Sequence, residues 1–252
     1  MKKMKNYDLL PLGVLLLSLV GFALRTGLYA TGLDGKNLLV RWHPLEAALW
    51  VCTAAAAALC LASARQGYRV QQYAANFEGS VLSAFGHILA GSGILLTVLQ
   101  EPVTGIALIG KLWKVAGMVC CPALYWAAFC RARGVRPFFG TYGLVSIFFA
   151  LHLVANYQTW CADPQLQNYV FAFLAALMLM LFAYYQTAFC IDGGSSFLLR
   201  LTGLLAAYCC LTALAAMSAP YLYGGCAVWA LTGLSRIRPR REKKAGSAHD
   251  SA

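Results

Sequence analysis

The chain has 252 residues, of which 60% are hydrophobic and 12% are charged, and its formal net charge at pH 7 is +11. A soluble domain carries roughly 45–50% apolar and about 25% charged residues, so this composition excludes a soluble globular protein. The positive charge does not indicate a nucleic-acid partner. Most of the 20 Lys and Arg residues lie at the termini or in alternate loops between apolar segments, which is the distribution that the positive-inside rule describes.

Eight apolar segments are the main feature of the sequence. Each holds about 20 residues, enough to cross ~30 Å of hydrocarbon as a helix. We predict eight crossings, numbered 1 to 8 in chain order, at about 9–29, 44–63, 79–100, 111–131, 139–160, 167–190, 197–218 and 220–237. Crossing 8 is the shortest, and whether it spans the bilayer fully is open. Residues 104–110 are expected to lie on the membrane surface or to re-enter the membrane before crossing 4.

Charge sets the predicted orientation. With eight crossings, one side of the membrane carries both termini and most of the basic residues, namely Lys2, Lys3, Lys5, Arg65, Arg69, the loop arginines Arg131, Arg133 and Arg136, Arg200, and the basic residues of 236–244. Seven crossings would place this basic end outside, against the positive-inside rule. We therefore predict an all-α, polytopic transmembrane helical bundle in the cell membrane, of the bacterial cytoplasmic type, with both termini cytoplasmic.

The two ends of the chain carry further predictions. The first apolar run follows three lysines, but Arg25 interrupts it and no small-x-small site follows, so we expect a retained first helix. We predict one bundle domain over 1–237 and a basic, disordered cytoplasmic tail over 238–252. Basic residues beside a membrane attract anionic lipid at about 1 kcal/mol each, so the predicted partners are the bilayer and its anionic lipid, with another membrane protein as a further candidate and no nucleic acid.

Crossing 3 carries a regular pattern of small residues. They recur at every third or fourth position, which puts them on one face of a helix: Gly79, Ser83, Gly86, Ala90, Gly93 and Thr97. In lipid, such a seam marks where two helices pack closely. Crossing 7 repeats the idea with Thr202, Ala206, Cys209, Ala213 and Ala216. We predict that these crossings form the core of the bundle, with a sliding surface in a transporter as the alternative, and that Leu179 faces lipid.

Ionisable residues inside a membrane are costly and often functional. His87, His152 and Arg25 fall within predicted crossings, and Asn156 lies one turn from His152. We predict an outward-facing polar cavity that binds an anionic or polar ligand, lined by Arg25, Glu46, His152 and Asn156. In the alternative interpretation, Arg25 pairs with Glu46 at the surface and each histidine is hydrogen-bonded separately within the bundle.

No pattern in the sequence indicates catalysis. HExxH, the Walker A motif and paired glutamates are absent, and no base is placed to activate Ser92. Nine of the ten cysteines lie in or beside apolar segments, where free cysteine behaves as a small hydrophobe. We therefore predict no catalytic residues, no metal, no cofactor and no enzymatic activity.

Three classes of function remain. The first is a small-solute transporter or its membrane subunit, the second is an accessory protein that binds another membrane protein, and the third is a membrane enzyme acting on lipid. A proton- or sodium-coupled carrier usually needs an acidic residue in mid-membrane, and none of the nine acids lies there. This absence weakens coupled transport and strengthens the accessory interpretation.

Overall fold

The computed structural model describes residues 9–32, 43–65, 71–102, 107–162, 169–216 and 219–234. These residues form nine helical segments, of which α3 is a single turn: α1 (Leu9–Thr31), α2 (Pro44–Arg65), α3 (Tyr73–Asn76), α4 (Val81–Gln100), α5 (Ala107–Arg133), α6 (Phe139–Ala162), α7 (Val170–Cys190), α8 (Ser196–Leu214) and α9 (Pro220–Gly233). Seven of them, α1, α2 and α4 to α8, are long and apolar enough to cross a membrane. The prediction of an all-α, multi-pass transmembrane bundle is thereby confirmed.

Helix α9 is shorter than the predicted crossing 8. It begins at Pro220, where a proline suits the first turn of a helix, but it has 14 residues, or ~21 Å. Residues 235–237 of the predicted crossing and the predicted tail lie outside the described residues. Helix α9 runs antiparallel to α4, since Gly86 lies against Trp229 and Gly93 lies against Tyr221.

Six helices form a closed ring, in which each packs against the next. The ring runs α4, α5, α6, α7, α8 and α9, and α9 returns to α4 in the most extensive helix contact of the molecule. Helices α1 and α2 pack against each other and against α8, outside the ring. Trp229 of α9 is fully buried and its ring contacts His87, Tyr142 and Phe182. The side chains of α9 therefore fill the interior as well as closing the ring.

Gly86 and Gly93 of α4 lie at its contact with α9. A Cβ added at Gly93 would collide with the backbone carbonyl of Tyr221, and one added at Gly86 would collide with the hydroxyl of Thr232. From the other side, a Cβ at Gly225 would collide with the carbonyl of Leu89. The two backbones approach closely enough that only glycine fits, which is how small-residue seams bring helices together in lipid.

The lateral surface of the bundle, around its long axis, is apolar. On α1, the side chains of Leu12, Leu16 and Leu19 are about half exposed, at 46%, 56% and 51%. An exposed apolar surface on successive helices is the face expected to contact lipid. Leu179 does not belong to it: this side chain is fully buried, so the expectation that it faces lipid is wrong. It lies on the face of α7 that packs into the core.

Two loops predicted from the sequence are parts of the packed structure. Residues 107–110 are the first turn of α5, which has 27 residues and is ~40 Å long; they are not a separate surface segment, because nothing in 107–111 breaks a helix. Residues 104–106 lie outside the described residues. Arg131, predicted in a basic loop, lies in the last turn of α5 and is 2% exposed.

The loops predicted to face the cytoplasm meet at one end of the bundle. Ser80 N–H donates to the carbonyl of Arg131 at 3.0 Å, which joins the start of α4 to the end of α5. The carboxylate of Asp192, after α7, pairs with Arg136 at 2.8 Å and accepts from Tyr73 N–H at 2.9 Å. We call this the predicted cytoplasmic end, and the opposite one the predicted outer end. The alternating helix directions agree with the predicted topology, and the side that faces the cytoplasm stays a prediction.

Candidate functional site

His152 and Asn156 lie one turn apart on α6 and are joined by hydrogen bonds. The side-chain amide of Asn156 donates to Nδ1 of His152 at 3.1 Å and to the backbone carbonyl of the same residue at 2.9 Å. Tyr223, on α9, has its hydroxyl 3.5 Å from Nε2 of His152 and donates to the carbonyl of Ala172 at 3.3 Å. Because Nδ1 accepts a hydrogen bond, we assign the ring proton to Nε2, which faces the oxygen of Tyr223.

Arg25 lies on the buried face of α1 and reaches toward α7 and α8. Its side chain is 2% exposed. One terminal nitrogen donates to the carbonyl of Thr212 at 3.1 Å, and the other donates to the hydroxyl of Tyr29 at 3.2 Å. The guanidinium carbon lies 4.9 Å from the ring centroid of Phe171. The next residue of α7 accepts the hydrogen bond of Tyr223, so the contacts of Arg25 and of Tyr223 fall on the same turn of α7.

Glu46 lies in the first turn of α2 and is half-buried. One turn further along, Trp50 stacks on Phe171 with 6.0 Å between the ring centroids. This is the ring that Arg25 contacts. The four residues predicted to line a cavity therefore lie at the same end of the bundle, and their role in binding a ligand stays a prediction. We call Arg25, His152, Asn156, Phe171 and Tyr223 the outer cluster.

Aromatic side chains surround His152. Its ring lies 5.6 Å from that of Trp113, 6.3 Å from that of Phe148 and 6.1 Å from that of Trp160. The side chain is 2% exposed. These rings fix the orientation of the imidazole, so that its polar edge points along the line from Asn156 to Tyr223. Chemically, the arrangement offers a cation and several hydrogen-bond donors within an apolar bundle.

A second buried polar network lies at the predicted cytoplasmic end. His87 Nδ1 donates to the carbonyl of Ser83 at 2.7 Å, and His87 Nε2 accepts from the hydroxyl of Tyr142 at 2.9 Å. The hydroxyl of Ser83 accepts from Nε of Arg131 at 3.2 Å. Both nitrogens of His87 are thus satisfied within the bundle, as in the structural alternative that the sequence left open.

Arg131 borders a small cavity, which we call the inner cavity. Its volume is about 10 Å³, and six residues line it: Tyr73, Phe77, Arg131, Tyr142, Gln186 and Gly233. Burial raises the pKa of the Tyr73 phenol, while the positive charge of Arg131 acts in the opposite direction. The hydroxyl of Tyr73 therefore lies within the field of the guanidinium.

Sequence reasoning missed the polar partners that complete both networks. Tyr142 and Tyr223 fall within predicted crossings 5 and 8, and Tyr73 falls between predicted crossings 2 and 3. In the structure all three are at least 96% buried. For Tyr223, the proximity of Pro220 at the helix start was a usable signal, because it fixes which turn of the helix lies at the outer end. For Tyr73, the sequence offers no periodicity that distinguishes a buried single-turn helix from a loop.

The described part of the chain contains no group of three or more His, Cys, Asp or Glu side chains that could hold a metal ion. Its cysteines are free thiols, and Cys161 is the exposed one among them. No protein-family profile, no curated protein and no solved structure matches the chain.

Proposed function

We propose that this membrane protein is transporter-like, or is the membrane subunit of a transporter, and that it binds a small polar or anionic solute at the outer cluster. One observation carries the proposal. Arg25 from α1 and the His152–Tyr223 pair from α6 and α9 reach the same turn of α7, although they lie far apart in the sequence. Ionisable groups inside a membrane are expensive, and they commonly mark substrate or ion pathways.

The chemistry of the outer cluster selects the class of solute. Arg25 has donors only, and its planar guanidinium suits a carboxylate or another oxyanion. In the structure the amide of Asn156 donates to His152 and the hydroxyl of Tyr223 donates to Ala172, so a ligand would gain these donors only by replacing those bonds. Glu46, in the first turn of α2, and Glu101, directly after α4, are acids at this end, and they would offset part of the charge of Arg25 at an entrance. A ligand that accepts several hydrogen bonds fits these groups better than one that donates them.

An accessory, non-catalytic protein that binds another membrane protein is the second candidate. It is favoured because, in the described membrane-spanning helices, the sole acidic residue is Glu46 in the first turn of α2. A carrier coupled to protons or sodium has no mid-membrane carboxylate to use in these helices. An enzyme acting on lipid receives no such support, and we propose a protein without catalytic activity. We further propose that the protein lies in a bacterial cytoplasmic membrane and that the basic residues of 236–244 bind anionic lipid there.

The test is ligand-induced stabilisation of the purified full-length protein. Thermal unfolding in mild detergent would be measured with acetate, lactate, succinate, glycerol and urea, at constant ionic strength and constant chloride. We expect at least one carboxylate to raise Tm, because a ligand that binds the folded state stabilises it by mass action. Swelling of proteoliposomes in the same solute, followed by light scattering, then shows whether the solute crosses.

Arg25→Gln should abolish both the rise in Tm caused by the solute and the solute-dependent swelling of the proteoliposomes. The matched control is Arg200→Gln, since Arg200 is a half-buried arginine on α8 near its first turn, away from the outer cluster. If no solute stabilises the wild-type protein, while another membrane protein copurifies with it in stoichiometric amount, the accessory function replaces the transporter. Equal loss in both variants would also contradict a role for the outer cluster.

A further inference from the structure

The inner cavity lies at the other end of the bundle, away from the outer cluster, and Arg131 is its only described cation. The guanidinium is almost completely buried. Its Nε donates to Ser83, and its carbon lies 4.6 Å from the ring centroid of Phe77. Its two terminal nitrogens are buried and have no hydrogen-bond partner among the described residues. The guanidinium lies beside the phenol of Tyr73 without forming a hydrogen bond of good geometry to it, so these two donors are left unsatisfied by the described side chains.

Two further polar groups around the inner cavity are in the same condition, whereas the hydroxyl of Tyr142 is bonded to His87. The hydroxyl of Tyr73 and Oε1 of Gln186 are buried and lack a partner among the described residues. Burying a polar group without a hydrogen bond costs free energy. Several such groups around one cavity therefore indicate an occupant that satisfies them together.

Size restricts the occupant. A cavity of about 10 Å³ is close to the minimum that admits one water molecule. Phosphate, sulfate and carboxylates, each with several heavy atoms, do not fit this space. The candidates are a single water molecule and a single-atom anion, which is somewhat larger than water and would require a small outward shift of the lining side chains.

Charge favours the anion. Among the described residues, the ion pair at this end joins Arg136 to Asp192, and the second oxygen of Asp192 accepts from Tyr73 N–H. Neither contact neutralises Arg131. A water molecule would satisfy hydrogen bonds, but it would leave a guanidinium buried without a counter-charge, which is costly. An anion satisfies the donors and supplies the counter-charge.

The remaining lining groups are compatible with an anion. The hydroxyl of Tyr73 can donate, and a half-turn of the Gln186 amide presents its NH₂ group in place of the oxygen. We propose that the inner cavity is a binding site for one halide-sized monovalent anion, chloride or bromide, held by Arg131, Tyr73 and Gln186. The site is independent of the solute proposed for the outer cluster.

The experiment compares anions of different size on the purified full-length protein. Thermal unfolding would be followed in sodium chloride, sodium bromide, sodium phosphate and sodium gluconate at equal ionic strength and pH. We expect chloride and bromide to raise Tm by several degrees in a saturable manner, and phosphate and gluconate to leave it unchanged. Line broadening of the ³⁵Cl NMR signal, reversed by bromide, measures the same binding directly.

Arg131→Gln should remove the chloride-dependent shift. Arg136→Gln is the matched control, because this arginine is at the same end but its side chain is 46% exposed, and it should keep the shift. Because Arg131→Gln can also impair folding, Tyr73→Phe provides a milder variant, in which the ³⁵Cl broadening should weaken at least several-fold. Equal Tm in chloride and gluconate, with no broadening above buffer, would show that the cavity holds water and would overturn the proposal.

Discussion

Gly93→Ala tests the closest approach in the molecule, where α4 meets α9. The added Cβ would collide with the carbonyl oxygen of Tyr221 and lie 3.0 Å from the carbonyl carbon. These are backbone atoms of a helix, so no rotamer change relieves the contact. Overfilling a packed site costs about 1–3 kcal/mol, and alanine recovers up to ~1 kcal/mol through its higher helix propensity. We therefore expect a net loss of about 1–2 kcal/mol of stability.

The same substitution elsewhere in the bundle supplies the control. At Gly224, on α9, the nearest atom to an added Cβ is 4.0 Å away, on Leu214. At Gly143, on α6, the nearest atoms are 3.9 Å away, on Thr187. Both are ordinary contact distances, so Gly224→Ala and Gly143→Ala should be neutral or should stabilise by up to ~1 kcal/mol.

Unfolding of the purified protein by titration with sodium dodecyl sulfate, followed by tryptophan fluorescence, measures the three variants on one scale. The expected order is Gly93→Ala least stable, with the wild type and both controls above it. If Gly93→Ala were as stable as Gly224→Ala, the backbones of α4 and α9 would not be in contact, and the closed ring would be wrong.

Three further predictions concern the ends of the bundle. Cys161, the exposed thiol among the described residues, should react with an impermeant maleimide on intact cells, and labelling that needs permeabilised cells would reverse the predicted orientation. Arg136→Ala should lower the free energy of unfolding by less than ~1 kcal/mol, because the ion pair with Asp192 is exposed. Asp192→Ala should lower it more, since this change also removes the acceptor of Tyr73 N–H, and equal losses in the two variants would contradict this. Burial raises the pKa of Glu101, so folding stability is lost as pH rises from the unfolded-state pKa through the folded-state pKa. Glu101→Gln should therefore raise Tm at pH 7 and have little effect at pH 4. A change in Tm that is the same at both pH values would contradict the raised pKa.

The positions of the crossings could be read from the sequence because hydropathy and helix ends are local properties. Pro44 and Pro220 each mark a helix start, as expected of proline in a first turn. The start of crossing 4 was misplaced for a different reason. The predicted crossing begins at Lys111, since a lysine favours the membrane interface, whereas the helix begins at Ala107 and is longer than one crossing needs. A lysine limits how deep a residue lies in the membrane, and it does not determine where the helix begins.

The candidate sites were only partly predictable, because burial within a bundle depends on which face meets a neighbour. On α1 the buried positions recur at helical spacing: Val14, Ser18, Gly21, Arg25 and Leu28. This spacing was available in the sequence and would have placed Arg25 on the packed face. Arg131 had no comparable signal. It lies two residues from a helix end, where an arginine commonly reaches solvent, and it is buried because α3 and Phe77 pack beneath the bundle.

The sign of the charge inside the bundle bears on the proposed transport function. Glu46 is the sole acid in the described membrane-spanning helices, and it lies at a helix end. The same helices hold three buried or half-buried arginines, namely Arg25, Arg131 and Arg200. A cation moving between the two ends would pass Arg25 and then Arg131 without a carboxylate in these helices to lower its energy, while an anion would be attracted at each end. The outer cluster and the inner cavity rest on different residues, yet the same electrostatic argument directs both toward anions. A cation carrier is therefore the transport function that this arrangement opposes most strongly.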